Sequence, residues 1–263
     1  MLTALITGAS SGIGAAFAEE LAKRQYNLIL VARSEAKLQQ LATQLQAQNK
    51  IQVEVLVQDL TLPTAASSVF DAVAQKGLVV DLLINNAGFG DYGAFSDRAR
   101  QKQVEMIQLN IIALVELTHL FLAGMRQRKS GSIINVASIA GFQPMPYLSI
   151  YAATKAFVLS FSEAIWAENK DEGVRVLALC PGPTESDFFK VAEFPKSMAS
   201  TTRNKSQLYP AQAVVLDALK ALEKNQSNLV TGGLANQIIV NLSRFLPRES
   251  LVKIVAKQFR GNK

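Results

Sequence analysis

The sequence predicts a doubly wound α/β fold: a parallel sheet with helices on both faces. Three observations predict it. Apolar strand-like runs alternate with helical patterns along the chain. A glycine-rich turn joins the first strand to the first helix. The residues able to do chemistry follow directly after strands, where ligands bind in such sheets. The 263 residues, 49% of them hydrophobic, can fill one substantial core. No repeat or linker-like stretch divides the chain, so one domain is expected over residues 1–263.

Leu2 to Thr7 is a short apolar run and reads as a buried strand. The turn Thr7-Gly8-Ala9-Ser10-Ser11-Gly12-Ile13-Gly14 follows, then a helical pattern from Ala15 to Arg24. Asn27 to Ala32 reads as the second strand. Ser34 to Gln48 is an amphipathic helix with Leu38, Leu41 and Leu45 at helical spacing. Ile51 to Val57 alternates as a strand and runs into Asp59-Leu60. Pro63 to Gln75 reads as helix, and Val79 to Ile84 as a strand ending in Asn85-Asn86-Ala87-Gly88. Asp97 to Arg128 reads as one long helix with a single break. Ser132 to Ala137 is a fifth strand that delivers Ser138. Tyr151 to Lys170 is helical, and Val174 to Cys180 is a sixth strand ending in Pro181-Gly182-Pro183-Thr184.

Composition narrows the function classes. The one cysteine, Cys180, precludes an intrachain disulfide and lies in an apolar strand, so it reads as a buried structural thiol. The one histidine, His119, lies in an apolar helical run and reads as a packing residue. One His and one Cys argue against a zinc site, and no metal is expected. The net charge of +6 is compatible with acidic ligands but names none, and no nucleic-acid motif is present. The N-terminus has no charged start or cleavage site of a signal peptide. The longest apolar run, Ile111 to Met125, contains Glu116 and His119 and is shorter than a span of ~20 residues. A cytoplasmic protein is therefore expected.

The glycine turn between strand and helix suits a dinucleotide's pyrophosphate. Glycines admit the phosphates to the backbone, and the helix N-terminus offers N–H groups and a positive dipole end. The second strand ends in Ala32-Arg33, where an NAD site usually carries an acid. A guanidinium there suits a 2′-phosphate in forked geometry, which points to NADP(H). Tyr151 and Lys155 are four apart and share a helix face. A phenol titrates near ~10 and a lysine near ~10.4. A neighbouring ammonium is expected to lower the tyrosine pKa and to poise it as a general acid/base. With the Ser138 hydroxyl upstream, the set suits moving a proton on and off a carbonyl or alcohol oxygen.

These residues resemble the short-chain dehydrogenase/reductase family. The likeness runs from residue 2 to about 231 through Thr7-Gly8-x-x-x-Gly12-Ile13-Gly14, Asp59-Leu60, Asn85-Asn86-Ala87-Gly88, Asn110, Ser138, Tyr151-x-x-x-Lys155 and Pro181-Gly182. Val31-Ala32-Arg33-Ser34, Ala87-Gly88-Phe89-Gly90 and Pro181-Gly182-Pro183-Thr184-Glu185 are similar to its DltE-like reductases. The resemblance implies a Rossmann-type fold and NADPH-dependent reduction of a carbonyl. It makes Tyr151 the catalytic acid/base, with Lys155 lowering its pKa and holding the nicotinamide ribose. Ser138 would hold the substrate carbonyl, and Asn110 would support a water-linked proton relay to Lys155. Asp59 would contact adenine, Asn86 would line the cofactor cleft and Thr184 would reach the carboxamide. Leu60, Ala87, Gly88, Pro181 and Gly182 belong to the same cofactor set as Thr7, Gly8, Ser10, Ser11, Gly12, Ile13 and Gly14. The helices around 111–125 and after Tyr151 would pair across a two-fold axis, giving a homodimer or homotetramer.

Residues 185–209 should form a substrate lid. They mix Phe188, Phe189, Val191, Phe194 and Met198 with Lys190, Lys196, Arg203 and Lys205, a blend suited to a bulky apolar small-molecule substrate or to lid packing alone. The extension at about 233–263 sets Val252, Ile254, Val255 and Phe259 among Lys253, Lys257, Arg260 and Lys263. A helix packed on its own domain or on a partner subunit is favoured over an amphipathic helix at a membrane. A non-catalytic NADPH sensor on the same fold is the alternative function, disfavoured because a sensor has no need of all four catalytic groups. An epimerase or dehydratase of the extended branch is disfavoured by the glycine spacing.

Overall fold

The computed structural model describes residues 1–195, 208–243 and 245–260. Seven strands form one all-parallel sheet: β1 (Thr3–Thr7), β2 (Asn27–Ala32), β3 (Val53–Val57), β4 (Leu82–Asn85), β5 (Gly131–Val136), β6 (Val174–Cys180) and β7 (Asn228–Val230). The spatial order is β3-β2-β1-β4-β5-β6-β7. The chain winds outward from β1 to β3, then returns to the other side of β1. That reversal opens a crevice at the carboxyl ends of β1 and β4. β1 is buried along its whole length and sets the register, with Leu5 level with Ile29 of β2 and Leu83 of β4. Such near-continuous apolar strands are what a sheet covered on both faces requires.

One face is covered by α1 (Gly12–Lys23), α2 (Glu35–Asn49) and α8 (Ala211–Glu223), whose Phe17, Leu21, Leu38, Leu45, Val214 and Leu219 pack on Ile6, Leu28, Leu30 and Leu177. The other face carries α3 (Ala65–Gln75), α5 (Ala113–Gln127) and α6 (Ser149–Asn169), with Val69, Leu117, Phe121, Met125 and Ile165 against Leu5, Leu83, Ile133 and Val176. A short helix α4 (Arg100–Ile107) precedes α5, and α7 (Phe188–Val191), α9 (Leu234–Leu242) and α10 (Arg248–Phe259) complete the order. The predicted doubly wound fold is present.

The differences from the expected elements have physical causes. β4 begins at Leu82, later than expected; just before it, Asp81 accepts from the Thr3 N–H through its carboxylate at 2.8 Å. The break expected in the long helix is a π turn over Gln108–Ile112, so Arg100–Gln127 is continuous. By length and composition alone it could cross a membrane. His119 is exposed on α5, which corrects the packing role expected of it. Cys180 is buried, as expected, and burial pushes its thiol up to about 12. β7 and α8 were not anticipated; α8 starts after Pro210 and shows the i, i+4 burial of Val214, Ala218 and Leu222. Of the expected lid, residues 196–207 lie outside the described residues, and with them Lys196, Met198, Arg203 and Lys205; so does Lys263.

The described part of the lid is tied down by charge. The Asp91 carboxylate is fully buried. It accepts from Arg98 Nε at 2.8 Å, from Lys102 Nζ at 2.8 Å and from the Gln103 amide. Burial would raise its pKa, but the hydrogen bonds from Arg98 and Lys102 outweigh burial and hold it below the usual carboxylate range. Glu193, just after α7, binds the same two cations at 2.7 and 2.6 Å. The Ala192 carbonyl accepts from Tyr92 N at 2.8 Å. Asp91→Ala leaves the two partly buried cations only the exposed Glu193 and should cost about 3 kcal/mol in denaturant unfolding. Glu193→Gln, at the solvent-exposed end, should cost under about 1 kcal/mol. Equal costs would mean the buried anion does not organise the cluster.

Candidate active site

A cleft of about 900 Å³ runs along the carboxyl edge of the sheet. Its first half is lined by Gly8, Ser10, Ser11, Gly12 and Ile13 after β1, by Arg33 after β2, by Asp59 and Leu60 after β3, and by Asn86, Ala87 and Gly88 after β4. The second half is lined by Ser138 after β5, Tyr151 and Lys155 of α6, and Pro181, Gly182 and Thr184 after β6. Most of the sequence-predicted site residues are therefore brought together. Thr7, Gly14 and Asn110 are not in the lining; they build the support beneath it.

The glycine turn is held from below. Thr7 Oγ1 donates to the Ile84 carbonyl and accepts from the N–H groups of Asn86 and Ala87 at 3.0 Å. Asn86 donates through Nδ2 to the Thr7 and Gly8 carbonyls at 2.9 and 3.2 Å. Gly8 has φ +65, and a Cβ there would stand 2.8 Å from Asn86 Nδ2. A Cβ on Gly14 would stand 2.3 Å from the Gly8 carbonyl oxygen, so α1 can approach the turn only without one. Ser11 caps α1 without a side-chain bond, and the start of the helix, Ser11 to Ile13, lines the cleft. A glycine turn with small side chains at Ala9, Ser10 and Ser11, leading into a 12-residue helix, fits the pyrophosphate of a dinucleotide. Asp59 accepts from Thr61 N and Thr61 Oγ1 at 3.0 and 2.8 Å; burial opposes, but these bonds and then Arg33 lower its pKa.

The reacting end is dry. Tyr151 is 9% exposed and lies beside the Ser138 hydroxyl, which accepts from Ala140 N at 3.1 Å. Burial pushes the phenol up to about 12 against the lowering effect of the Ser138 hydroxyl. Lys155 Nζ stands 5.8 Å from the Tyr151 ring centre and donates to the Val136 carbonyl at 2.7 Å. Burial pulls the ammonium down to about 8. The expectation that Lys155 lowers the tyrosine pKa is thus corrected. In this arrangement desolvation dominates both groups, and the phenol keeps its proton.

Asn110 sits in the π turn at 1% exposure. Its amide accepts from Phe89 N at 3.1 Å and donates to the Phe89 carbonyl and Thr154 Oγ1 at 3.0 and 3.1 Å. The side chain is spent on clamping the loop after β4 and has no bond to Lys155. Thr184 Oγ1 is turned back onto the Gly182 carbonyl at 2.8 Å.

Sequence reasoning missed the far wall. Phe89, Met145, Leu148, Ile239, Gln258 and Phe259 join Phe188, Phe189 and Phe194 around the tyrosine. Phe188 packs on the Tyr151 ring with centres 5.0 Å apart, and Phe194 packs on Tyr92 at 4.9 Å. Tyr92 Oη donates to the Phe259 carbonyl at 2.6 Å, closing the wall across 167 positions of sequence. The tail's apolar residues were the one available signal; nothing local to them indicates the partner.

The short chain dehydrogenase family profile matches residues 2–195. The chain belongs to this family of nicotinamide-dependent oxidoreductases. It is 34% identical over 196 residues to a very-long-chain 3-oxoacyl-CoA reductase of Anas platyrhynchos, over 72% of this chain and 62% of that protein. Among solved structures, a short-chain dehydrogenase of Sphingobium yanoikuyae in complex with NADPH matches at TM-score 0.81 and 30% identity, covering 100% of this chain and 97% of that one. The bulky-bulky ketone specific alcohol dehydrogenase of Comamonas testosteroni matches at TM-score 0.80 and 31% identity, covering 96% and 94%.

The pKa inversion at Lys155 has a measurable consequence. Its folded value of about 8 lies below the ordinary 10.5, so between the two the unfolded chain holds more protons. Stability therefore rises with pH across that window. From pH 7 to pH 9 the rise from this group should be about 1 kcal/mol. Lys155→Met should lack that increment when urea unfolding is compared with the wild type at both pH values. Parallel pH profiles would mean the ammonium is not desolvated.

Proposed function

We propose that the protein reduces a bulky, apolar ketone or aldehyde with NADPH, and oxidises the alcohol in reverse with the same groups. One observation carries the reading. The Tyr151 phenol is sealed between the Ser138 hydroxyl and Lys155, where the glycine-lined half of the cleft meets the aromatic half. The phenol carries its proton at neutral pH and can give it to a carbonyl oxygen, while burial, by raising its pKa to about 12, moves it away from the range in which that transfer is fastest. Ser138 is placed to hold that oxygen. Bound in the glycine-lined half, the dinucleotide supplies the hydride for the carbonyl carbon. Lys155 offers its ammonium to the ribose and to recharging the phenol. Asn110, whose Nδ2 is engaged by the Phe89 carbonyl and Thr154, would support the proton relay to Lys155 through an oxygen.

NADPH is the favoured dinucleotide. Arg33 stands at the cleft rim, 73% exposed in its side chain and 4.0 Å from Asp59. A guanidinium so loosely held is available to a 2′-phosphate. The Sphingobium structure, which holds NADPH, agrees with this choice. The aromatic wall of Phe188, Phe189, Phe194 and Phe259 favours a bulky apolar substrate, as does the name of the Comamonas enzyme.

One domain carries the whole reaction, and we place it in the cytoplasm. The Arg100–Gln127 helix is read as a layer of that domain, because Met106, Asn110, Leu117, Phe121 and Met125 are buried in it. Its outer face leaves Val104, Ile107 and Ile112 exposed, and α6 leaves Phe157 exposed, which supports pairing of these helices in a homodimer or homotetramer.

The test is NADPH oxidation on a panel of bulky ketones, beside cofactor titration. Tyr151→Phe should fold, bind NADPH normally and lose about 10²–10⁴-fold in turnover. Ser138→Ala should lose turnover with unchanged cofactor affinity, and Lys155→Met should lose both. A Tyr151→Phe enzyme that keeps most of its rate would remove the mechanism. For the cofactor, the wild type should bind NADPH more tightly than NADH by about one to two decades, the worth of a charge-assisted contact of ~1.5–3 kcal/mol. Arg33→Asp should abolish that preference, and equal wild-type affinities would sink it.

A further inference from the structure

The C-terminal helix pair has two faces. Inward, Asn236 and Val240 of α9 and Leu251 and Val255 of α10 are buried on the domain at helical spacing. This is the own-domain packing expected of the tail. Outward, α9 carries Leu234, Ile238 and Leu242 at i, i+4, i+8, and Phe245 follows. Leu234 is 76% exposed, Ile238 60% and Phe245 81%, and Ile254 of α10 is exposed too. An outward apolar stripe of this kind exceeds the scattered exposed residues that need no explanation.

Two further observations say what covers it. The stripe lies at the cleft: Ile239 of α9 and Gln258 and Phe259 of α10 line the pocket, and the half-exposed Val191 of α7 lines it beside them. The charge is also concentrated here. Residues 231–263 hold six Lys/Arg against one Glu, a net +5 of the chain's +6. Lys253, Lys257 and Arg260 are exposed on or just after α10. A partner protein would have to be both acidic and apolar at once. An anionic bilayer presents those two properties in layers, charge outside and hydrocarbon beneath.

We propose that α9 and α10 form a docking surface for an anionic lipid bilayer, with Leu234, Ile238, Leu242 and Phe245 inserted below the headgroups and the α10 cations at the phosphate level. The cleft mouth then faces the membrane surface. That orientation matters to catalysis only if the apolar-substrate reading above holds; the docking itself does not depend on it.

Flotation with lipid vesicles tests the docking directly, using the full chain. The wild type should float with vesicles of phosphatidylcholine containing one part in three phosphatidylglycerol. It should float poorly with phosphatidylcholine alone, and binding should weaken in high salt. Ile238→Asp and Phe245→Asp should each weaken partitioning at least about tenfold. Lys253→Gln and Lys257→Gln should each weaken it roughly fivefold. All four residues lie outside the cleft lining, so NADPH affinity and melting temperature serve as folding controls and should match the wild type. No flotation of the wild type, or flotation indifferent to these variants, would overturn the proposal. So would light scattering in which Ile238→Asp dissociates a wild-type oligomer that never binds vesicles, since the face would then join copies of this chain. A variant that loses flotation while turnover on a soluble ketone persists supports docking as separate from chemistry. Loss of all ketone activity in a wild type that still floats would count against the reductase reading alone.

Discussion

Lys155 is 5% exposed, and its ammonium meets a backbone carbonyl rather than a carboxylate. A charge placed so is costly, and the protein shifts it toward neutrality. The rest of the site is arranged around keeping it there. α6 is drawn tight to the turn after β5 and to the loop after β4: a Cβ on Gly141 would stand 2.7 Å from the Lys155 carbonyl oxygen, and one on Gly88 would crowd Asn110 and the ammonium itself. Behind the helix a buried polar chain runs from Thr118 through Asn85 and Asn135 to Ser162 and the Val158 carbonyl, with bonds of 2.6–3.0 Å. Asn85 Oδ1 is left buried without a partner among the described residues; the bonds that are made tie α5, β4, β5 and α6 to one another. The lysine faces the cleft, desolvated, from a helix that this chain ties to the sheet behind it.

The same logic explains which half of the molecule could be read directly from its sequence. Gly8, Gly12, Gly14, Tyr151 and Lys155 act over short spans, a turn or one helical turn, so their spacing carries the information. β1 to β6 were legible for the same reason, being apolar runs punctuated by turns. The protonation of the pair was not legible. Sequence spacing shows that an ammonium lies near a phenol but not how dry both are, and dryness decides the sign of each shift. The Asp91 cluster and the Tyr92–Phe259 bond were equally invisible, since each joins segments that share no local pattern. Glu193 is reached from Lys102 across 91 positions. His119 misled because an apolar run around a residue does not say which side of the helix it faces.

The two halves of the cleft differ in how they are built. The glycine-lined half is backbone, held by Thr7 and Asn86, and its shape is set by what is missing from the side chains. The far half is built of side chains, chiefly from the segment at Phe188–Phe194, the loop at Phe89–Tyr92 and the end of α10, with Met145, Leu148 and Ile239 beside them. Its stability comes from aromatic packing and from the Asp91 and Glu193 ion pairs, not from the sheet. Chemistry and selectivity thus rest on separate scaffolds.

The bond that closes the far wall has one more property. Tyr92 grips the main-chain oxygen of Phe259, not its ring. Any amino acid at position 259 presents that oxygen. The ring, which packs on the cluster of Tyr92, Leu148 and Tyr151, can therefore be exchanged for another apolar side chain while the tether that holds the helix end persists. Selection acting on substrate range has at this position a side chain it can replace without loosening the architecture, a decoupling of evolvability from anchorage that the catalytic tyrosine and lysine do not enjoy.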